Sequence, residues 1–268
     1  MLRKLLALCV VAKLQIQMAF VYRLNYLFGI ISLFLPVAAS YFIWTGVYSS
    51  GTVDTGYDLQ SILLYSVIGV GLRLSTSTNV ITLFEGLVNS GNIALELLKP
   101  ISLQAKILFT TIGDVIQGLL TKFFVVFLLA VFIFRLDILF IQPINILYFV
   151  ALMLLGFFIV FLIDYLIGLI SFWLTQLWGI NFAKRQMMSV LSGSLIPLTM
   201  YPTALVTVLN YTPFPYIYGY PLDALIMGIT SERFLEIVII DLIWIIGLFV
   251  LSRIVWFFGS KKVFVQGG

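Results

Sequence analysis

Long apolar runs separated by short polar stretches repeat along this chain, and run length rather than helical or strand periodicity carries the signal. A helix needs roughly 20 apolar residues to cross the hydrocarbon core of a bilayer. On that ruler the runs predict spans at 24–47, 59–83, 106–134, 144–170, 190–209 and 234–258. The fifth contains SGSLIPLTMYP, where Pro197 and Pro202 should kink or break the helix. The expected fold is an all-α integral membrane protein with six transmembrane helices in a single domain over 1–268.

The segments between the runs add detail. The opening MLRKLLALCVVAKLQIQMA resembles a signal peptide, but its apolar core is short, Lys13 and two glutamines follow, and no clean Ala-x-Ala site appears. Residues 1–23 therefore read as an interfacial helix, with Arg3, Lys4, Lys13 and Arg23 among head groups. SSGTVDTGYD reads as an exposed loop, 84–105 as a longer amphiphilic connection, and 210–232 as a tyrosine- and proline-rich hairpin.

Charge sets the orientation. With the N-terminus in the cytoplasm, Arg3, Lys4, Lys13, Arg23, Lys99, Lys106, Lys184, Arg185, Arg253, Lys261 and Lys262 lie at the cytoplasmic face, against Arg135 and Arg233 outside. Positive residues are retained inside, and an even number of helices returns the C-terminus to the same side. Composition narrows the function. With 62% hydrophobic and 10% charged residues among 268, and a mean hydropathy of +1.15, no polar stretch is long enough for a separate catalytic domain. The net charge of +4 is scattered between apolar runs, which argues against nucleic-acid binding. Cys9 is the single cysteine, so no intrachain disulfide forms, and the lack of histidine argues against a metal site or catalytic residues.

Three features could carry function. In NSGNIALELLKP, Asn92 can cap a short helix, Ile93, Leu95, Leu97 and Leu98 are apolar, Glu96 and Lys99 sit three apart, and Pro100 ends the turn. This surface helix either presses into a groove of a cytosolic ATPase or is an interfacial helix that merely packs on its own bundle. In NYTPFPYIYGYPLDALIMG, the rings of Tyr211, Phe214, Tyr216, Tyr218 and Tyr220 suit the outer interface, as an aromatic anchor or as a partly re-entrant hairpin closing a pathway. Arg73, Asp114, Lys122, Asp164 and Asp241 are charges inside spans; interhelical pairing is the default, with substrate or proton handling the alternative. Asp114 and Lys122 are about 12 Å apart along one helix and cannot pair directly. No GxxxxGK[ST] phosphate loop occurs, so any ATP dependence requires a partner.

NSGNIALELLKPIS, SGSLIPLTMYP, the tyrosine- and proline-rich hairpin and the terminal Gly-Gly occur in an order that resembles type-2 ABC transporter permeases of the bacterial exporter class. The resemblance implies a permease domain over nearly the full length, with a cytoplasmic coupling helix between spans two and three and an outer re-entrant hairpin between spans five and six. It implies a bacterial inner-membrane location and a dimer with a second permease, identical or homologous, above two cytosolic ABC ATPase subunits. ATP and Mg would be bound by those subunits and no cofactor by this chain. Carried over by position, Gly91, Asn92, Glu96, Lys99 and Pro100 belong to the ATPase contact, and Arg73, Ser75, Thr199 and Thr203 become pathway candidates. Arg73 departs from a uniformly apolar pathway. An ion-gradient-driven secondary transporter, lacking the expected internal symmetry here, and a non-transporting assembly or immunity subunit are the alternatives. Peptide, antibiotic, cationic drug and lipid all remain open as cargo.

Overall fold

A computed structural model of the protein describes residues 2–21, 23–51, 56–138 and 141–262, with side chains over 6–17 and 33–51 in the first two stretches. The side chains of Arg3, Lys4 and Arg23, loop residues 52–55 and the terminal Gly267 and Gly268 lie outside the described residues. Regular structure among the described residues is helical: α1 Leu2–Val21, α2 Arg23–Ser49, α3 Leu59–Ser75, α4 Val80–Asn89, α5 Ile93–Leu97, α6 Leu103–Gly118, α7 Phe124–Leu128, α8 Pro143–Leu169, α9 Trp178–Leu191, α10 Thr203–Leu209, α11 Phe214–Ile217, α12 Gly219–Ile226 and α13 Ser231–Ser260. Two π-helical turns, Leu119–Phe123 and Leu129–Ile133, continue the α6–α7 rod.

Four helical stretches among the described residues are long and apolar enough to cross a membrane: Leu59–Asn89, Leu103–Ile133, Pro143–Phe172 and Ser231–Ser260. Their starts follow local chemistry. Asp58 accepts from the Gln60 N–H, Ser102 Oγ from the Ala105 N–H and Thr230 Oγ1 from the Arg233 N–H, each satisfying an orphan donor of a first turn. Pro143 occupies a first-turn position, where its missing N–H costs nothing.

Two predicted spans differ from the observed helices. The stretch expected as one helix over 59–83 is broken between α3 and α4. The break lies in Ser75-Thr76-Ser77-Thr78-Asn79, where Ser75, Thr76 and Ser77 hydroxyls donate to the carbonyls of Gly71, Leu72 and Leu74. Short hydroxyl side chains compete for backbone groups and so favour helix ends. The fifth stretch, 190–209, is no continuous helix: α9 ends at Leu191, Pro197 and Pro202 adopt extended ψ angles of 143° and 136°, and only the single turn Leu198–Met200 and the seven-residue α10 follow. Two prolines five residues apart leave room for no more than a turn between them.

Helix α8 is the hub, packing against α13, α12, α11 and α4, while α3 runs between α2, α12 and the first π-helical turn. At one end of the bundle Tyr148 meets Ser231 and stacks on Phe234; at the other Phe172 meets Trp256. The first is the Pro143 end of the bundle and the second its Gly259 end. One core cluster joins α3 to α11 and α12 through Tyr65, Tyr216, Ile217 and Leu222. A second, towards the Gly259 end, joins Phe84, Ile93, Leu103, Ile107, Tyr165 and Leu169. α3 and α6 approach closely where Gly118 faces Ser75: a Cβ on Gly118 would collide with the Ser75 carbonyl oxygen. α1 packs along α6, with Ala12 and Gln15 against Gly113, and leaves Leu6, Val10 and Leu14 exposed on its far face.

Candidate functional site

The segment from Asn89 to Pro100 is built from its anchor outward. Gly91 turns the chain with φ +71°, a left-handed conformation that other residues adopt at a cost. Asn92 follows at the N-cap position of α5 but makes no side-chain capping bond, contrary to expectation, because its own backbone is already helical (φ −63°, ψ −15°). Ile93 is 2% exposed and plugs α5 into the Phe84–Tyr165 cluster. Leu95, Leu97 and Leu98 point away and are exposed, Leu98 at 83%.

Glu96 lies between two ammonium groups, 2.6 Å from Lys99 and 2.7 Å from Lys106. Its partial burial alone would raise its pKa, but hydrogen bonds and charge from Lys106 and Lys99 hold the carboxyl below the usual range. Glu96 is therefore spent inside the chain, bracing α5 against the start of α6. Asn89 donates to the Thr175 carbonyl at 2.7 Å, and Glu85 accepts from the Leu177 N–H at 3.2 Å, so the same segment is tied to the turn between α8 and α9. Pro100 is exposed and closes the segment.

The four pathway candidates are engaged with different elements. Arg73, half-buried on α3, leaves its Nε without a hydrogen bond among the described residues. Ser75 spends its hydroxyl on its own helix at the crossing with α6. Thr199, exposed in the turn after Pro197, reaches the Tyr57 hydroxyl. Thr203 is exposed at the start of α10, where its carbonyl accepts from Thr207.

Among the intramembrane charges, Asp164 is fully buried and pairs with Lys184 of α9 at 2.5 Å, while Thr78, freed by the break after α3, also donates to it. Asp114 and Lys122 are half-buried, and among the described residues neither forms an ion pair. Lys122 sits in the first π-helical turn. Asp241 is fully buried on α13, and neither carboxylate oxygen has a hydrogen-bond partner among the described residues.

The tyrosine-rich segment turns inward. Tyr211 is exposed, yet Tyr216 and Tyr218 are buried, and the Tyr218 hydroxyl pairs with Thr76 at 2.6 Å. Tyr220 donates to Asn210 Oδ1 at 2.5 Å and Tyr65 to the Gly193 carbonyl at 2.9 Å. Tyr57 donates to Asp223 Oδ1 at 2.7 Å, joining α12 to the loop before α3. Burial pushes the Asp223 carboxyl up to about 6, the Tyr57 hydrogen bond only partly offsetting it.

Sequence reasoning missed three of these roles. Lys106 and Lys184 counted only as orientation charges, and Asp223 was not singled out, although it is the sole charged residue between Asn210 and Thr230. A lone carboxylate in an apolar, aromatic stretch is the signal that could have found it.

Residues 34–267 match the family model described as ABC-2 family transporter protein. No curated protein matches the chain.

Proposed function

The chain belongs to the ABC-2 family of transporter proteins, and from that membership, which brings a partner ATPase and a multi-pass membrane setting, we propose that it is an export permease coupled through α5. The observation that carries this reading is the construction of α5. One residue, Ile93, fixes it to the core, an internal ion-pair fork fixes its orientation, and three leucines are left facing outward. A helix packed wholly on its own bundle would turn those leucines inward, and an interfacial one would set them in lipid. An amphipathic helix docked in a partner's groove is expected to present such a face.

In this reading the Gly259 end is cytoplasmic. Lys99, Lys106, Lys184, Arg253 and Lys261 fall towards it, and Arg233 lies at the opposite end, in keeping with retention of positive charge inside. The chain crosses the membrane six times, the fifth crossing being completed by the broken segment around Pro197 and Pro202 rather than by one helix. ATP-driven closure of two ATPase subunits pushes α5. The Asn89–Thr175 and Glu85–Leu177 bonds pass that movement to the turn between α8 and α9, and the α4 connection passes it to α3. The pathway opens between this permease and a second copy or homologue, while α11 and α12 close its outer end. Substrate must bind the two states unequally for the cycle to move it.

The test is to co-express the chain with its ATPase, purify the complex in mild detergent, and compare wild type with a Leu95→Asp/Leu98→Asp variant. Loss of the ATPase from the variant, with the permease still folded, is expected. Undiminished co-purification and transport in that variant would remove α5 from the coupling role.

A further inference from the structure

Between α6, α8 and α13, in the Gly259 half of the bundle, runs an open groove of about 560 Å³. Leu108, Phe158, Phe161, Leu162, Ile246 and Phe249 line it. Phe161 and Leu162 are buried, whereas Ile246 and Phe249 are 62% and 48% exposed, so the groove is closed behind and open sideways. It lies between three of the four stretches apolar enough to cross a membrane, which places its opening against lipid acyl chains. Polar groups gather at one end only, at Ser102, Gln104 and Arg253.

Those same three residues line a second cavity of about 280 Å³, which adds Glu96, Lys99 and Trp256. The two cavities therefore adjoin at these residues and make an amphiphilic cleft, apolar on one side and polar on the other. Its polar end carries an excess of positive charge. The single carboxylate, Glu96, is already bonded to both Lys99 and Lys106, while Arg253 forms no ion pair among the described residues. A guanidinium presents a planar fork of donors that matches phosphate oxygens.

We propose that this cleft binds an anionic membrane phospholipid, one acyl chain lying in the groove and the phosphate held by Arg253 beside Lys99. The charge of the cleft selects the headgroup, and the apolar lining, continuous with the bilayer, selects a lipid over a soluble anion. Because Glu96 and Lys99 line the headgroup cavity, an occupying phosphate competes with Glu96 for Lys99 and thereby alters the brace on α5. Occupancy by lipid does not depend on what the permease transports.

Purified full-length protein in nanodiscs of mixed phosphatidylglycerol and phosphatidylcholine, released for native mass spectrometry, provides the test. Wild type is expected to retain phosphatidylglycerol in preference to phosphatidylcholine, and Arg253→Gln to cut that preference about fivefold, the effect of one cationic residue at an anionic surface. Ala105→Trp or Leu108→Trp, each filling the groove, should reduce retention of both lipids. Thermal melting of each variant selects those that remain folded for comparison. Wild-type retention without headgroup preference, an unchanged preference in folded Arg253→Gln, or unchanged retention in a folded groove-filling variant overturns the proposal. Displacement of the lipid by glycerol phosphate alone would make this an anion site and overturn it equally. High-yield disulfide formation between copies carrying Ile246→Cys would put a second chain in the groove, with the same result.

Discussion

The hairpin of α11 and α12 and the short helix α5 are both connections between longer helices, both rich in apolar residues, and they are finished in opposite ways. The hairpin turns its side chains inward: Tyr216 and Tyr218 are buried, and Tyr216, Tyr218 and Tyr220 each find a partner for the hydroxyl. α5 buries Ile93 and exposes Leu95, Leu97 and Leu98. In lipid, apolar contact barely distinguishes protein from solvent, so helices are held by close packing and polar bonds. A connection that satisfies its polar groups internally is a closed structural part. One that is braced at its margins keeps an apolar face that the chain itself does not cover.

The comparison breaks first where the internal bonds are strongest. Lys184→Ala leaves the Asp164 carboxylate buried without its cation, and removing one partner of a buried pair costs about 3–5 kcal/mol; thermal unfolding in detergent should register most of that, and a melting point within a degree of wild type would show the pair to be dispensable. Tyr218→Ala removes a buried ring, for which losses of about 3–5 kcal/mol are usual, and also removes the hydroxyl bonded to Thr76, whose own bond to the Leu72 carbonyl remains. Tyr218→Phe should lose only the hydrogen bond, about 1 kcal/mol, so the two variants separate packing from bonding in the hairpin.

On the other side of the comparison, Leu95→Asp/Leu98→Asp should leave the isolated chain within about 0.5 kcal/mol of wild type, as exposed substitutions do. Co-purifying ATPase should fall by roughly tenfold or more, equivalent to about 1.4 kcal/mol of lost association. If stability and not association is what falls, α5 is part of the permease's own core, and the contrast with the hairpin disappears.

The smallest effect concerns pH. Asp223 has a folded-state pKa pushed up to about 6 from an ordinary 3.8, so the folded protein holds that proton more tightly than the unfolded one. Its contribution to hairpin docking is fully present below about pH 4, declines as pH rises towards 6, and is absent above it. Hydrogen exchange around Tyr57 and α12, measured as the difference between wild type and Asp223→Asn, should follow that window; a difference that does not vary between pH 4 and 7 would remove Asp223 from the latch.

Much of the long-helix framework was legible because a run of apolar residues has few alternatives once it is long enough to span a bilayer. The expected spans at 144–170 and 234–258 differ from Pro143–Leu169 and Ser231–Ser260 by no more than a few residues at either end. The two broken stretches were legible unequally. Pro197 and Pro202 announce their break through backbone geometry alone, whereas Ser75 to Asn79 break theirs through hydroxyl groups that must compete with the helix for its carbonyls, a weaker signal masked by high surrounding hydropathy. Within the segment around α5, the spacing of Glu96 and Lys99 put them on one side of the helix, where they pair. The second ammonium, Lys106, joins only because the turn after Pro100 brings the start of α6 within reach of α5.

The sequence by itself determined that this is a multi-pass helical membrane protein, where its long apolar stretches lie, and which family it belongs to, because these follow from run length and from the order of motifs along one chain. Only the tertiary structure decided that Asp164 pairs with Lys184, that Asp223 is latched by Tyr57, that Asp241 has no partner among the described residues, and that the leucines of α5 face outward. Each depends on which helix lies beside which. In a chain so uniformly apolar, nearly every helix face is equally able to pack, so close contacts and a few polar bonds select the neighbours, and neither is written in any single segment.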